Sequence, residues 1–166
     1  MIKEDIFIRW AQEYKGLFLK VARAFAADTS AQEDLIQDMM LQLWISVPNF
    51  NGQAQESTWV YRVAFNTAMV WNRQRKKHKK LQSVTLIENQ LTTYDDLKNR
   101  ELIEQLYAAI RQLPKLDASL ILMSLDGLSY KQMADVSGMS ESNVGVKLNR
   151  AKKQLAQKMK GLSYEF

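Results

Sequence analysis

The chain has 166 residues, 46% of them hydrophobic and 25% charged, a mix that excludes a wholly disordered polypeptide. Cysteine is absent, which excludes a disulfide, a thiolate metal site and a cysteine nucleophile. The formal charge of +5 is unevenly placed: residues 1–60 carry eight acids and five bases, and residues 61–166 carry ten acids and eighteen bases. An acidic front and a basic back predict two kinds of partner, one of them polyanionic.

Apolar residues recur at helical spacing along the chain, and alternating strand-like runs are scarce. An all-α fold is expected. The start MIKEDIFIRW lacks the basic and apolar regions of a signal peptide, and no run approaches the ~18 apolar residues of a membrane span. A cytoplasmic protein without membrane insertion is therefore expected. Phe7, Trp10, Tyr14, Leu17, Val21 and Phe25 form one stripe of a first helix.

Ser30 with Glu33 reads as the capping-box start of a second helix, running to about Val47 before Pro48. Its core stripe is Leu35, Ile36, Met39, Leu43 and Val47, widened by Met40 and Trp44. Leu41 and Ile45 project on the far side among Asp34, Gln37 and Asp38. Apolar groups in an acidic surface point to a protein partner with a basic, partly apolar face, or to cover by another helix of the same domain.

Ser57 or Thr58 reads as the cap of a third helix, running to about Arg75. Trp59, Val60, Val63, Thr67, Val70 and Trp71 make one face; Tyr61, Phe65 and Met69 lie on another, beside Arg62, Asn72, Arg73 and Lys76. Residues 71–80 hold six bases and no acid. Aromatics interleaved with cations can stack bases and hold phosphates of a single strand, although a central helix also buries aromatics as core.

Residues 81–100 mix Thr, Asn, Asp and Gln with weak periodicity. They read as a flexible linker between two small helical domains, 1–80 and 101–166, or as an ordinary loop inside one bundle. Leu102, Leu106, Ile110 and Leu113 mark a fourth helix, and three shorter ones follow Pro114 at about 117–125, 129–137 and 141–158.

The last two have the grammar of a helix-turn-helix. Ser129 and Gln132 give a capping-box start, Met133, Ala134 and Val136 supply buried positions, and Gly138 sits where the chain must turn. Ser140 caps the final helix, with Glu141 near its positive end. At 100° per residue, Val144, Leu148, Ala151 and Leu155 fall on one stripe. Ser142, Val146, Asn149 and Lys153 lie opposite, flanked by Gly145 and Arg150. Short polar groups for base edges, an apolar group for a thymine methyl and cations for phosphate suit a recognition helix. Lys147, Arg150, Lys152, Lys153, Lys158 and Lys160 add six bases without an acid, so binding should depend strongly on salt.

Catalysis finds no foothold. His78 is the only histidine and stands among lysines, a poor setting for a metal ligand or general base. No glycine-rich phosphate loop and no ligand cluster is present, so neither an enzyme nor a cofactor or metal is expected.

Three motifs in order, EDLIQDMMLQLW (33–44), FNG (50–52) and STWVYRVAFNTA (57–68), resemble region 2 of the sigma-70 family of RNA polymerase sigma factors, in its extracytoplasmic-function (ECF) group. The run LPKLDASLILMSLDGLSYKQMADVSGMSESNVGVKLNRAKKQL (113–155) resembles region 4. The resemblance implies a factor that binds bacterial core polymerase and directs promoter recognition and opening. By the same resemblance, Asp34, Gln37, Asp38, Leu41 and Ile45 would dock on the clamp helices of the largest catalytic subunit. Asn51, Gly52, Gln53, Ala54 and Gln55 match the loop that captures a flipped −10 base, with Arg62, Asn66, Arg73 and Arg75 holding the strand. Ser142, Gly145, Val146, Lys147, Asn149, Arg150 and Lys153 would read the −35 element, while their domain also contacts the polymerase flap. Relatives often carry an acid where Val70 stands and arginine where Gly145 stands, so the promoter words do not transfer. Such factors are often held inactive by an anti-sigma factor. The residues alone also allow a freestanding helix-turn-helix regulator with an N-terminal dimerisation or sensing domain, or a helical adaptor whose basic faces are merely solvated.

Overall fold

A computed structural model describes residues 2–78 and 94–163; most of the 81–100 linker lies outside the described residues. The described residues form eight α-helices and no strand: α1 (Lys3–Glu13), α2 (Lys15–Phe25), α3 (Thr29–Ser46), α4 (Glu56–His78), α5 (Tyr94–Gln112), α6 (Lys115–Leu125), α7 (Tyr130–Ser137) and α8 (Glu141–Ser163). A short 3-10 turn, Val47–Asn49, follows α3. The all-α expectation holds.

The first apolar stripe belongs to two helices. The chain breaks at Tyr14 (φ −104°, ψ 16°), yet Phe18 N–H donates to the Tyr14 carbonyl, so the phase of the stripe survives the break. Trp10, Leu17, Val21 and Phe25 are buried. The cap of α3 is Asp28, not Ser30: its backbone is extended (ψ 153°) and its carboxylate accepts from Ala31 N–H at 2.6 Å. An ionised acceptor at a helix N-terminus is also favoured by the helix dipole. Likewise α4 begins at Glu56, before either hydroxyl expected to cap it. Helix α5 begins at Tyr94, so the last seven residues assigned to the linker are helical.

Glu56 receives a bidentate pair from Arg9 of α1, at 2.8 and 2.6 Å. These hydrogen bonds hold the Glu56 carboxyl below its ordinary value. A lowered folded-state value means stability that is full above the ordinary carboxylate range and is lost as pH falls through the folded value. The melting-temperature gap between the native chain and Glu56→Gln should therefore shrink on going from pH 7 to pH 3; a constant gap would contradict the pairing.

Helices α1–α4 wrap around Leu35, Met39, Leu43, Val60, Ala64 and Ala68, all fully buried. Helices α5–α8 close around Ile110, Leu120, Met133, Val144 and Leu148. The two units are not separate in space, and one continuous apolar cluster runs through both. Helix α2 packs on α5 and α6, and α4 packs on α6 and α7. Val70, grouped with Val60 and Trp71 on one face of α4, is 43% exposed, because Ala64, Phe65, Ala68 and Trp71 take the inward positions.

Candidate nucleic-acid interface

The helix-turn-helix forms as its local chemistry dictates. Ser129 Oγ accepts from Gln132 N–H, and Gln132 Oε1 accepts from Ser129 N–H, completing the capping box. Gly138 ends α7 at φ 78°, in the left-handed region that glycine occupies without steric cost. Ser140 Oγ then accepts from Asn143 N–H at the start of α8. Val144, Leu148 and Ala151 are fully buried, which fixes the rotation of α8. Its outer face presents Ser142, Asn149, Arg150 and Lys153 exposed, Val146 about half exposed and Lys147 partly covered.

Gly145 lies on that face beneath Tyr130 of α7. A Cβ there would meet the Tyr130 ring at 3.3 Å, and the ring is exposed enough to give way. Tyr130 is a contributor to this face that sequence reasoning missed; its place directly after the Ser129 cap was the only signal. Gly145→Ala is expected to raise Tm by about 1–4 °C through removal of glycine's helix penalty of ~0.5–1 kcal/mol. A lower Tm in a thermal melt would show that Tyr130 cannot move.

Along α4, Arg62, Asn66 and Arg73 fall within a narrow arc, since spacings of four and eleven residues return to one side of a helix. Asn66 and Arg73 are exposed, and Arg62 is partly covered. The preceding loop turns at Gly52 (φ 80°), and Asn51 Oδ1 accepts from Gln53 N–H at 3.1 Å, which leaves the Gln53 and Gln55 side chains exposed. Ala54 is partly covered. Arg75 does not join this group. Thirteen residues from Arg62 it points the other way, 3.7 Å from Asp28 and over the Trp71 ring at 5.0 Å.

On α3, Asp34, Gln37, Asp38, Leu41 and Ile45 form one continuous exposed stripe, with Leu41 54% and Ile45 49% exposed. Asp38 also borders a groove shared with Asn66 and Thr67 of α4. Among the described residues, no group of three or more His, Asp or Glu could hold a metal. No described helix is long and apolar enough to cross a membrane.

A helix-turn-helix with a fixed polar, cationic face in one unit, and an acidic–apolar stripe beside a cation-bearing helix in the other, define a two-unit helical protein of the helix-turn-helix class. The model of Sigma-70 region 2 matches residues 10–78, and that of Sigma-70, region 4, matches residues 103–155. The chain belongs to the sigma-70 family of RNA polymerase sigma factors, in the ECF group. Among its relatives, the RNA polymerase sigma factor YlaC of Bacillus subtilis is 27% identical over 94% of this chain and 91% of its own length. The RNA polymerase sigma-H factor of Pseudomonas aeruginosa is 26% identical, over 92% of this chain and 86% of its own. The fold matches that of the sigma factor RpoE bound to the anti-sigma factor NepR from Bartonella quintana, at TM-score 0.72 and 19% identity, covering 96% and 98% of the two chains. CnrH in complex with the cytosolic domain of CnrY matches at TM-score 0.66 and 18% identity, covering 95% and 90%.

Proposed function

We propose that this ECF sigma factor divides promoter recognition among three faces. The α3 stripe of Asp34, Asp38, Leu41 and Ile45 docks on the clamp helices of core RNA polymerase. The loop 51–55 with Arg62, Asn66 and Arg73 of α4 captures the −10 non-template strand, and Arg75, turned toward Asp28, is left out of that set. The outer face of α8 reads the −35 element in the major groove, with Asn149 on a base edge and Lys147, Arg150 and Lys153 at phosphates. The unit that carries α8 also touches the polymerase flap.

The observation that carries this reading is the rigid division of α8: three fully buried residues on one side hold a polar, cationic face outward. Its work is recognition rather than bond-making. Duplex binding positions the complex, and strand capture offsets the few kcal/mol needed to unstack the −10 bases. It acts where the polymerase works, in the cytoplasm, and an anti-sigma factor is a partner of the kind its structural neighbours hold.

The test is duplex binding by the chain assembled with core polymerase. Asn149→Ala with Lys153→Ala should weaken binding to a −35-containing duplex by about five- to 150-fold, the size of one good base contact. The slope of log affinity against log salt should also fall by about one. Unchanged affinity and slope would remove α8 from DNA reading.

A further inference from the structure

Loop 51–55 is anchored at both ends on neighbouring residues of α1. At its entry, Phe50 stands edge-on to Trp10 of α1, with ring centroids 5.4 Å apart and 82° between the planes. It meets Trp59 of α4 in the same way, at 5.6 Å and 60°. Edge-to-face contacts of this kind hold a ring in place beyond what its burial does. Trp10 is fully buried, and the Trp59 indole N–H donates to Ser46 Oγ at 3.2 Å, so both walls of the Phe50 slot are held. At the exit of the loop, Glu56 receives the Arg9 guanidinium at 2.8 and 2.6 Å. Arg9 and Trp10 are successive residues, so a single point on α1 grips both ends of the loop.

The bonds made by the loop itself are local. Asn51 Oδ1 accepts from Gln53 N–H, and the Gln55 carbonyl accepts from Trp59 N–H at 3.0 Å. Its placement on the unit is therefore set at its two ends. A bidentate guanidinium–carboxylate pair fixes direction as well as distance, which an ammonium does not. The pair also cancels a charge that opposes strand capture, because Glu56 is the only acid between Phe50 and Arg62. Unpaired, that carboxylate would repel phosphate. Arg9 makes a second, longer contact of 3.5 Å with Glu13 on its own helix. It precedes residues 10–78, the stretch that the region 2 model matches.

We propose that Arg9 is a positioning residue for −10 strand capture. Through Glu56 it holds the exit of loop 51–55 in register with the Phe50 anchor, and so presents Gln53 and Gln55 in one fixed arrangement. This role rests on the assignment of the loop to the −10 strand made above.

The experiment uses the full chain assembled with core polymerase on a promoter that it transcribes in vitro. The dependence of the opening rate on enzyme concentration separates initial binding from strand opening. If loss of Arg9 leaves the loop in its capturing arrangement a tenth of the time, Arg9→Ala should slow opening about tenfold. Initial binding, which rests on α8, should stay unchanged. Glu56→Gln should also slow opening, although it removes a negative charge beside the strand. Arg9→Glu with Glu56→Arg reverses the pair at constant net charge and should restore the native rate, which excludes misfolding as the cause. Glu13→Gln keeps the Glu56 pair and should open at the native rate. The absence of cysteine lets a spin label at Gln53→Cys report on the loop in the chain without DNA. Its spectrum should sharpen in Arg9→Ala and return to the native width in the reversed pair. A Gln53 spectrum that Arg9→Ala does not move, or initial binding and opening lost in equal measure, would overturn the positioning role. A freed loop with opening at the native rate would overturn the assignment of the loop to the −10 strand, with the Arg9 anchor intact.

Discussion

Asp38→Arg is expected to weaken binding to core polymerase by roughly 30-fold or more, and to remove transcription in proportion. The figure follows from the ~2–5 kcal/mol cost of spoiling one partner of a desolvated charge pair. Asp38 sits in mid-stripe on α3, flanked by Asp34, Gln37 and Leu41, all exposed, with no salt bridge to another described residue in which it serves the fold. The reversal places a cation where a basic partner face would approach, so attraction becomes repulsion. The fold should be untouched, because substitutions at solvated helix positions change stability by about 0.5 kcal/mol or less. Fluorescence titration of core polymerase with labelled native and variant chains reads the loss directly. Equal affinities together with normal transcription would move the docking surface away from α3.

Leu148→Ala is expected to cost about 2–5 kcal/mol of stability, a fall in Tm of roughly 5–15 °C. Leu148 is fully buried, between Val144 and Ala151 on the inner stripe of α8, and truncation leaves a cavity that helices on either side cannot readily fill. The effect should reach function, since the same three residues set the rotation of the recognition face. Loss of −35 duplex affinity should accompany the loss of stability. Val146→Ala on the same helix is the internal comparison: its side chain is 51% exposed, and its Tm should shift little. Calorimetry on the two variants checks both statements, and equal Tm values would mean that α8 is not held by its apolar stripe.

What was readable in the sequence was what local chemistry decides. The Ser129–Gln132 box, the stop at Gly138, the Ser140 cap and both faces of α8 follow from residues within a few positions of each other. The exposed stripe on α3 was readable for the same reason, because apolar and acidic residues at helical spacing have one geometric meaning. Caps were less legible where two candidates stood close together. Ser30 and Glu33 meet the spacing of a capping box, but Asp28 adopts the extended backbone first and takes the Ala31 N–H. The break at Tyr14 was hidden because the apolar phase continues across it. Arg75 was grouped with the strand-holding cations as part of a basic run, although its position on the helix turns it to Asp28. Least legible was the packing of one unit on the other. The Tyr61 hydroxyl donates to Asp126 across 65 residues of sequence, and no periodicity or cap couples them. An acid before a glycine in a turn carries no sign of the tyrosine that will find it.

Sigma function is measured directly by in vitro transcription with sigma-free bacterial core polymerase on a pool of genomic promoters, with and without this chain. New, discrete transcripts should appear that require the chain and vanish with Asp38→Arg or with Asn149→Ala plus Lys153→Ala. No transcripts, and no binding of the chain to core polymerase in the same reactions, would contradict sigma function.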